Sequence, residues 1–338
     1  MGNDCCTKNT ITKQDSNTQI LFSLEPSEGT SEEKHPKSFN NILNINPKSN
    51  KENILFNFNK IIKKQAQLIS ETDFEKILST QYPTLYEIPY PTQTNFSQKQ
   101  NFILSSPPIK FPSGEIYKGN FNSRKQRDGL GISINSNGTL FKGNWNCDKI
   151  GNFGIFLEKN GDYYIGELKD GKFEGKGELE IIGISKYKGE FKNDLPNGKG
   201  ILNDYEKGYT YEGDFIEGKK DGKGILEYID GTKYEGEFKN DLYHGNGLMI
   251  FNNGNKYEGQ FLNGIIKGKG IFLWNDGKKY EGEYNDFIKN GFGKFIWNDN
   301  KYYEGQWLNN KQHGKGKISN SGVEIEGIFR FGKIIKET

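Results

Sequence analysis

From residue 114 onward the chain repeats itself every 22 to 24 residues, and that period leaves few folds open. An aromatic, any residue and a glycine recur in phase. The aromatic falls at Tyr117, Phe141, Tyr164, Tyr187, Tyr211, Tyr234, Tyr257, Tyr280 and Tyr303, with Ile325 in the last place. A unit this short cannot bury an apolar face by itself, so the period predicts an array in which each unit packs only on its neighbours. Arrays of this kind offer extended binding surfaces.

The unit around Lys233 shows what is being repeated. Lys233-Tyr234-Glu235-Gly236-Glu237-Phe238 and Gly245-Asn246-Gly247-Leu248-Met249-Ile250-Phe251 each alternate with period two, and the turn formers Asn240-Asp241 separate them. That pattern predicts a β-hairpin. Alternation places Tyr234, Gly236 and Phe238 on one face and Lys233, Glu235 and Glu237 on the other. Glycine weakens a strand, so a glycine at the same place in every unit needs a packing reason; an aromatic ring from a neighbouring strand lying on bare backbone supplies one.

A second glycine pair recurs at Gly129/Gly131, Gly175/Gly177, Gly198/Gly200, Gly222/Gly224, Gly245/Gly247, Gly268/Gly270, Gly291/Gly293 and Gly314/Gly316, lapsing once to Asn152/Gly154. Two residues beyond each pair stand Phe156, Leu179, Leu202, Leu226, Met249, Phe272, Phe295 and Ile318. One face of the sheet is thus expected to be rings and aliphatics over glycine, the other largely charged. Glu212, Glu235, Glu258, Glu281 and Glu304 repeat in register, which predicts cross-strand pairing with lysines such as Lys233, Lys256 and Lys279.

These units resemble the MORN repeat family, whose pattern runs Tyr-x-Gly-x-Phe, a turn, Gly-x-Gly, then a short strand closed by Asp-Gly or Asn-Gly. The resemblance spans residues 114–332, as about nine units and a terminal half-unit. Leu168, Tyr284, Trp145 and Trp307 replace the second aromatic, and Val323-Glu324-Ile325-Glu326-Gly327 lacks the ring, as the cap of an array does. The expected fold is all-β: an elongated single-layer antiparallel sheet of stacked hairpins. Its repeat-packing residues are Tyr117, Phe121, Phe141, Trp145, Tyr164, Tyr187, Phe191, Tyr211, Phe215, Tyr234, Phe238, Tyr257, Phe261, Tyr280, Tyr284, Tyr303 and Trp307. Residues 333–338 are read as a C-terminal tail.

Residues 1–50 share none of this periodicity. They are rich in Asn, Ser, Thr and Lys and read as a disordered tail. Residues 51–80 form an amphipathic segment: Ile54, Leu55, Phe58, Ile61, Ile62, Leu68 and Ile69 have helical spacing, and Thr72 with Glu75 resembles a capping box for a second helix carrying Phe74, Ile77 and Leu78. Two readings stand: the helices fold back over the apolar side of the sheet, or they bind a partner or membrane surface, with Lys60, Lys63 and Lys64 on the polar side. Residues 81–113 read as a proline-rich linker containing a short motif, Leu85-Tyr86-Glu87-Ile88-Pro89-Tyr90-Pro91.

The chain begins Met1-Gly2-Asn3-Asp4-Cys5-Cys6-Thr7. Gly2 is placed for N-myristoylation, although the strict pattern wants Ser or Thr where Cys6 stands. One myristoyl chain holds a membrane only marginally. Residues 1–50 carry five lysines against six acids, so no basic patch supplies the second anchor, and Cys5 and Cys6 are expected to do so as palmitoylation sites.

Composition excludes several function classes. The 46 basic and 44 acidic side chains leave a net charge of +2, too little to imply nucleic acid. No apolar run reaches the roughly 18 residues of a membrane span, and no secretory signal is read. Three cysteines without pairing spacing suit a reducing compartment. His244 and His313 sit three periods apart at one turn position and are read as structural. No zinc spacing, P-loop or dinucleotide fingerprint occurs, so no catalytic residue, metal or cofactor is expected. The favoured function is a non-enzymatic scaffold tethered by acylation to the cytoplasmic face of a membrane, docking cytoskeletal or membrane-associated proteins, with pairing of two copies among the readings. The resemblance implies settings such as junctional membranes, cortical cytoskeleton and ciliary radial spokes. The rivals are a cytoskeletal or axonemal component without membrane contact, and a phosphoinositide-binding module.

Overall fold

A computed structural model describes residues 67–86 and 107–337. The described chain falls into two units, one ending at Asp241 and one beginning at Leu242. In each unit the sheet is antiparallel and every strand pairs with the strands before and after it in sequence, so the all-β hairpin reading holds.

The hairpin turns explain the regularity. Most have two central residues at positive φ, as at Asn193 and Asp194 (50° and 71°) and Asn240 and Asp241 (48° and 70°). This is the type I′ geometry, whose twist matches that of the flanking strands and which Asn, Asp and Gly adopt at least cost. Strands Ser185–Lys192 and Leu195–Asp204 are joined in this way. The turns are also tied to one another. Asp194 accepts the N–H of Phe173 at 2.8 Å through Oδ1, and Asp241 accepts that of Lys220 at 3.0 Å, each reaching back 21 residues to the preceding repeat.

A line of glycine Cα atoms crosses each sheet at one register. In the first unit it includes Gly189 opposite Gly200, Gly200 opposite Gly213, Gly213 opposite Gly224 and Gly224 opposite Gly236. In the second it includes Gly247 opposite Gly259, Gly259 opposite Gly270, Gly270 opposite Gly282 and Gly282 opposite Gly293. The earlier glycine of each pair does something different. Gly198, at φ 104°, lies inside a break of register between Pro196 and Gly200. A bulge at that point bends the strand, which is how a one-layer sheet can close around its own side chains.

The N-terminal segment differs from expectation in three respects. The helix α1, Glu71–Gln81, is capped by Ser70, whose Oγ accepts the N–H of Asp73 at 3.1 Å; Thr72 already lies inside the helix. Ser fits the position because its short side chain reaches the third amide of the helix. The end of the first helical stretch, Gln67–Leu68, is a strand paired with Ile109–Lys110, and the backbone ladder overrides helical spacing there. Residues 54–66 lie outside the described residues.

The third difference concerns where α1 rests. Phe74, Leu78, Tyr82 and Leu85 are buried against Ile132, Ile134, Leu140, Phe153, Ile155, Leu157, Tyr163 and Ile165. These sheet residues alternate with Gly131, Gly143, Gly154 and Gly166, so they occupy the face opposite the rings. The ring face needs no such cover, whereas the first repeats are aliphatic on the face that is charged elsewhere. Lys118 on that same face pairs with Glu71 and, at 3.7 Å, with Glu75 of α1, and Tyr82 donates its hydroxyl to the carbonyl of Gly138 at 2.6 Å.

At the C-terminus, Lys333–Glu337 is a strand paired with Val323–Arg330 rather than a tail. Ile334 lies against Gly327, the place a tyrosine ring takes in other units.

Candidate functional site: the two faces of the repeat sheet

On the ring face each tyrosine does three jobs. Its ring covers a glycine two residues on in its own strand and the glycine opposite in the next strand, so the covering ring comes from within the hairpin as well as from a neighbour. Its edge meets the aromatic four residues later and the equivalent aromatic of the following repeat. Tyr187 lies 5.0 Å from both Phe191 and Phe215, at 89° and 84°, and Tyr211 lies 5.1 Å from Phe215 and 5.0 Å from Phe238. Each edge-to-face pair contributes about 0.5–1.5 kcal/mol beyond area burial. Its hydroxyl then donates to the carbonyl three residues on, from Tyr117 to Asn120, Tyr164 to Glu167, Tyr187 to Glu190, Tyr211 to Asp214 and Tyr234 to Glu237.

The second unit repeats this geometry. Tyr257 contacts Phe261 and Tyr284, Tyr280 contacts Tyr284 and Trp307, and Tyr303 contacts Trp307 and Phe329. Hydroxyls of Tyr257, Tyr280 and Tyr303 donate to Gln260, Glu283 and Gln306. Burial holds these phenols well above their ordinary ionisation range, Tyr303 being pushed up to about 12. In the early repeats Tyr117 meets Phe121 and Trp145, and Phe141 meets Trp145. Where Leu168 replaces the second aromatic, Tyr164 instead stacks on Phe173 at 3.6 Å.

The residue just after each hairpin turn also points into the ring layer, and in three repeats it is a cation that the sequence reading missed. Arg127 is bound by Glu115 at 2.8 Å and Asp148 at 3.4 Å and lies 3.7 Å over Trp145. Lys220 pairs with Asp241 at 3.9 Å and donates to the Tyr209 hydroxyl at 3.3 Å. Lys289, only 7% exposed, sits among the rings of Trp274, Phe295, Tyr280 and Trp307 at 5.1, 5.2, 5.4 and 5.7 Å. The turn residue beside it is Asn310, which accepts its backbone N–H at 2.8 Å but brings no charge. Burial lowers both lysines to about 8. The available signal was a basic residue at a turn-exit position where other repeats have Phe173, Pro196 or Ile266.

The opposite face corrects the expected charge ladder. Glu212 stands between Ile201 and Ile225, Glu235 opposite Ile225, and Glu258 between Leu248 and Ile271. Glu281 pairs with Lys279 along its own strand at 2.8 Å, and Glu304 with Lys294 at 3.1 Å. Lys233 and Lys256 lie one step along their strands from these acids and face Glu227 and the aliphatic pair Ile250 and Leu273. The ladder thus holds in the last repeats, where Glu281 stands opposite Lys294 and Glu304 between Lys294 and Lys317, and fails at Glu212, Glu235 and Glu258, where aliphatics stand opposite. An ionic cluster here joins Lys186 with Glu178 at 2.8 Å and Glu180 at 3.0 Å, and the Tyr163 hydroxyl, within reach of both carboxylates, lies nearer Glu178 at 2.7 Å.

His244 and His313 lie in equivalent strands, Leu242–Ile250 and Lys311–Asn320, half-buried. Among the described residues no group of three His, Cys, Asp or Glu side chains is placed to hold a metal, and no helix is long and apolar enough to cross a membrane. Gly2, Cys5 and Cys6 lie outside the described residues.

The family model for the MORN repeat matches seven times, at residues 164–180, 187–203, 211–233, 234–256, 257–279, 280–302 and 303–322. No curated protein matches the chain. Among solved structures, the wild-type TCP10 domain of Danio rerio CPAP is similar over 68% of this chain and 98% of its own, at 13% identity and TM-score 0.31. The TCP domain of Drosophila melanogaster SAS-4, solved in complex with a proline-rich motif of Ana2, is similar over 46% and 85%, at 13% identity and TM-score 0.30.

Proposed function

The chain carries seven MORN repeats between residues 164 and 322, and from that premise we propose that it is a non-enzymatic scaffold. It is held at the cytoplasmic face of a membrane by acylation of Gly2, Cys5 and Cys6 and docks cytoskeletal or membrane-associated proteins on its repeat sheet. One observation carries the docking half of this reading. The face opposite the rings already holds a helix, α1, through a patch of isoleucine and leucine flanked by Lys118, so this surface can bind an extended element without remodelling the sheet. The non-catalytic half is supported by the fate of the polar groups on the ring face: phenols are committed to backbone carbonyls and the cations to rings and turn carboxylates.

The membrane half rests on Met1-Gly2 and on Cys5-Cys6. It is tested by Gly2→Ala in the native cell with fractionation. Transfer of the protein from membrane to soluble fraction is expected; an unchanged distribution would leave a cytoskeletal or axonemal role without lipid tethering. Flotation of unacylated protein with phosphoinositide vesicles separates the third reading, since the scaffold proposed here stays at the bottom of the gradient.

A further inference from the structure

The second unit carries an aromatic ridge along its ring face, in which Phe251 is buried while Trp274 and Trp297 stay half-buried. Phe251, Trp274 and Trp297 occupy the same place in three successive repeats, one step before the distal turn, where the first unit has Asn135, Glu158, Ile181, Asp204 and a single aromatic, Tyr228. The Phe295 ring lies 5.2 Å from Trp274 and 4.7 Å from Trp297. The two indoles are thus two half-buried walls with a phenyl floor between them. Trp274 and Trp297 are separated by two strands, about 9.6 Å at the usual strand spacing. A polyproline II helix repeats every three residues, about 9.3 Å. A ligand of that form can set one residue in three against successive indoles without bending, whereas an α-helix at about 5.4 Å per turn falls out of step.

Charge narrows the ligand further. Lys301, half-buried, lies 5.2 Å over Trp297 and makes no ion pair with the described carboxylates, so it is the cation that a ligand on the ridge can reach. We propose that this ridge is a docking site for an extended proline-rich segment carrying acidic residues, its prolines seated between Trp274 and Trp297 and a carboxylate on Lys301. Preformed extended helices suit such a surface because little conformational entropy is lost on docking. The proposal deepens the scaffold reading by naming a partner chemistry, and it is independent of acylation.

The test uses unacylated full-length protein and three labelled twelve-residue peptides, repeats of Pro-Pro-Glu, Pro-Pro-Lys and Gly-Ser-Glu, read by fluorescence anisotropy. Saturable binding of the Pro-Pro-Glu peptide is expected, with at least tenfold weaker binding of the other two. Trp297→Ala is expected to weaken it at least tenfold with an unchanged unfolding midpoint, while Tyr205→Ala, in the other unit, has no effect. Lys301→Glu gives a readout that does not depend on losing a ring: Pro-Pro-Glu binding falls and Pro-Pro-Lys binding rises. The proposal is overturned by absence of Pro-Pro-Glu binding, by equal binding of the flexible acidic peptide, or by indifference to both Trp297→Ala and Lys301→Glu. Because no membrane is present, failure here leaves the Gly2→Ala result untouched, and the reverse also holds.

Discussion

The ring of Tyr211 lies so close on the backbone of Gly224, in the adjoining strand, that a Cβ at residue 224 would sit 2.5 Å from a ring carbon. Gly224 pairs with Gly213 on one side and Gly236 on the other, so neither the strand nor the ring has room to retreat. Overpacking a core costs about 1–3 kcal/mol, and Gly224→Ala is expected at the upper end of that range. Urea unfolding followed by tyrosine and tryptophan fluorescence measures it. Tyr211→Phe keeps the ring and removes only the bond to Asp214, so it should cost about 1 kcal/mol. A smaller loss for the glycine change than for the hydroxyl change would contradict the seating described here.

Lys289 makes stability depend on pH in an unusual direction for a basic group. Folding lowers its pKa to about 8 by burial, while the unfolded lysine titrates near 10.4. Between those values the unfolded chain holds the extra proton, so stability rises as pH increases through that window and the penalty is complete below pH 8. Lys289→Met is therefore expected to stabilise the protein at pH 7, by up to about 3 kcal/mol, and to flatten the rise above pH 8. Unfolding midpoints at pH 7, 8.5 and 10 test both statements. Lys220 titrates in the same window and should leave a residual slope.

Docking of α1 should be separable from the array. Phe74 is fully buried in the patch formed by Ile132, Ile155 and their neighbours, and Phe→Ala at such a site costs about 3–5 kcal/mol of local stability. Hydrogen exchange is the suitable measurement: Phe74→Ala should unprotect residues 71–81 while the amides around Tyr211 and Tyr257 keep their protection. Equal loss throughout would mean that α1 is integral to the sheet.

Asp194 joins one turn to the turn before it by accepting the N–H of Phe173. Asp194→Gly keeps the positive φ of 71° and removes that side-chain bond, so it should cost about 1–2 kcal/mol. Asp194→Val adds the strain of a β-branched residue in a left-handed conformation and should cost clearly more. Thermal midpoints of the two variants give the comparison.

How much of this was legible in the residues differs by element. The hairpins, their Asn-Asp turns and the aromatic face could be read because period-two alternation and left-handed turns have few sequence solutions, and Tyr-x-Gly recurs at ten places with two substitutions, Phe141 and Ile325. The position of α1 was missed because the face it covers was judged from later repeats, where Glu and Lys dominate. Ile132, Ile134, Ile155, Leu157 and Ile165 had broken that pattern in the first repeats and marked the covered patch. The cation sites were hidden because Arg127, Lys220 and Lys289 share a position with Phe173 and Ile266, and only three-dimensional proximity to Trp145, Tyr209 and Trp274 gives them meaning. The lysine partners assigned to Glu212 and Glu258 were wrong because register, which fixes who stands opposite whom, is set by the glycine line and the bulges.

Eight phenols on the ring face have given their single hydrogen to a carbonyl of their own strand. A tyrosine kinase meeting this sheet thus finds those eight oxygen atoms inaccessible, since phosphate addition would require a strand to peel away and would place about two negative charges on an apolar layer. Tyr205, 52% exposed near a distal turn, is open to such an enzyme. Among the described residues the stacked tyrosines are thus closed to such modification, and Tyr205 at the rim is the exposed phenol.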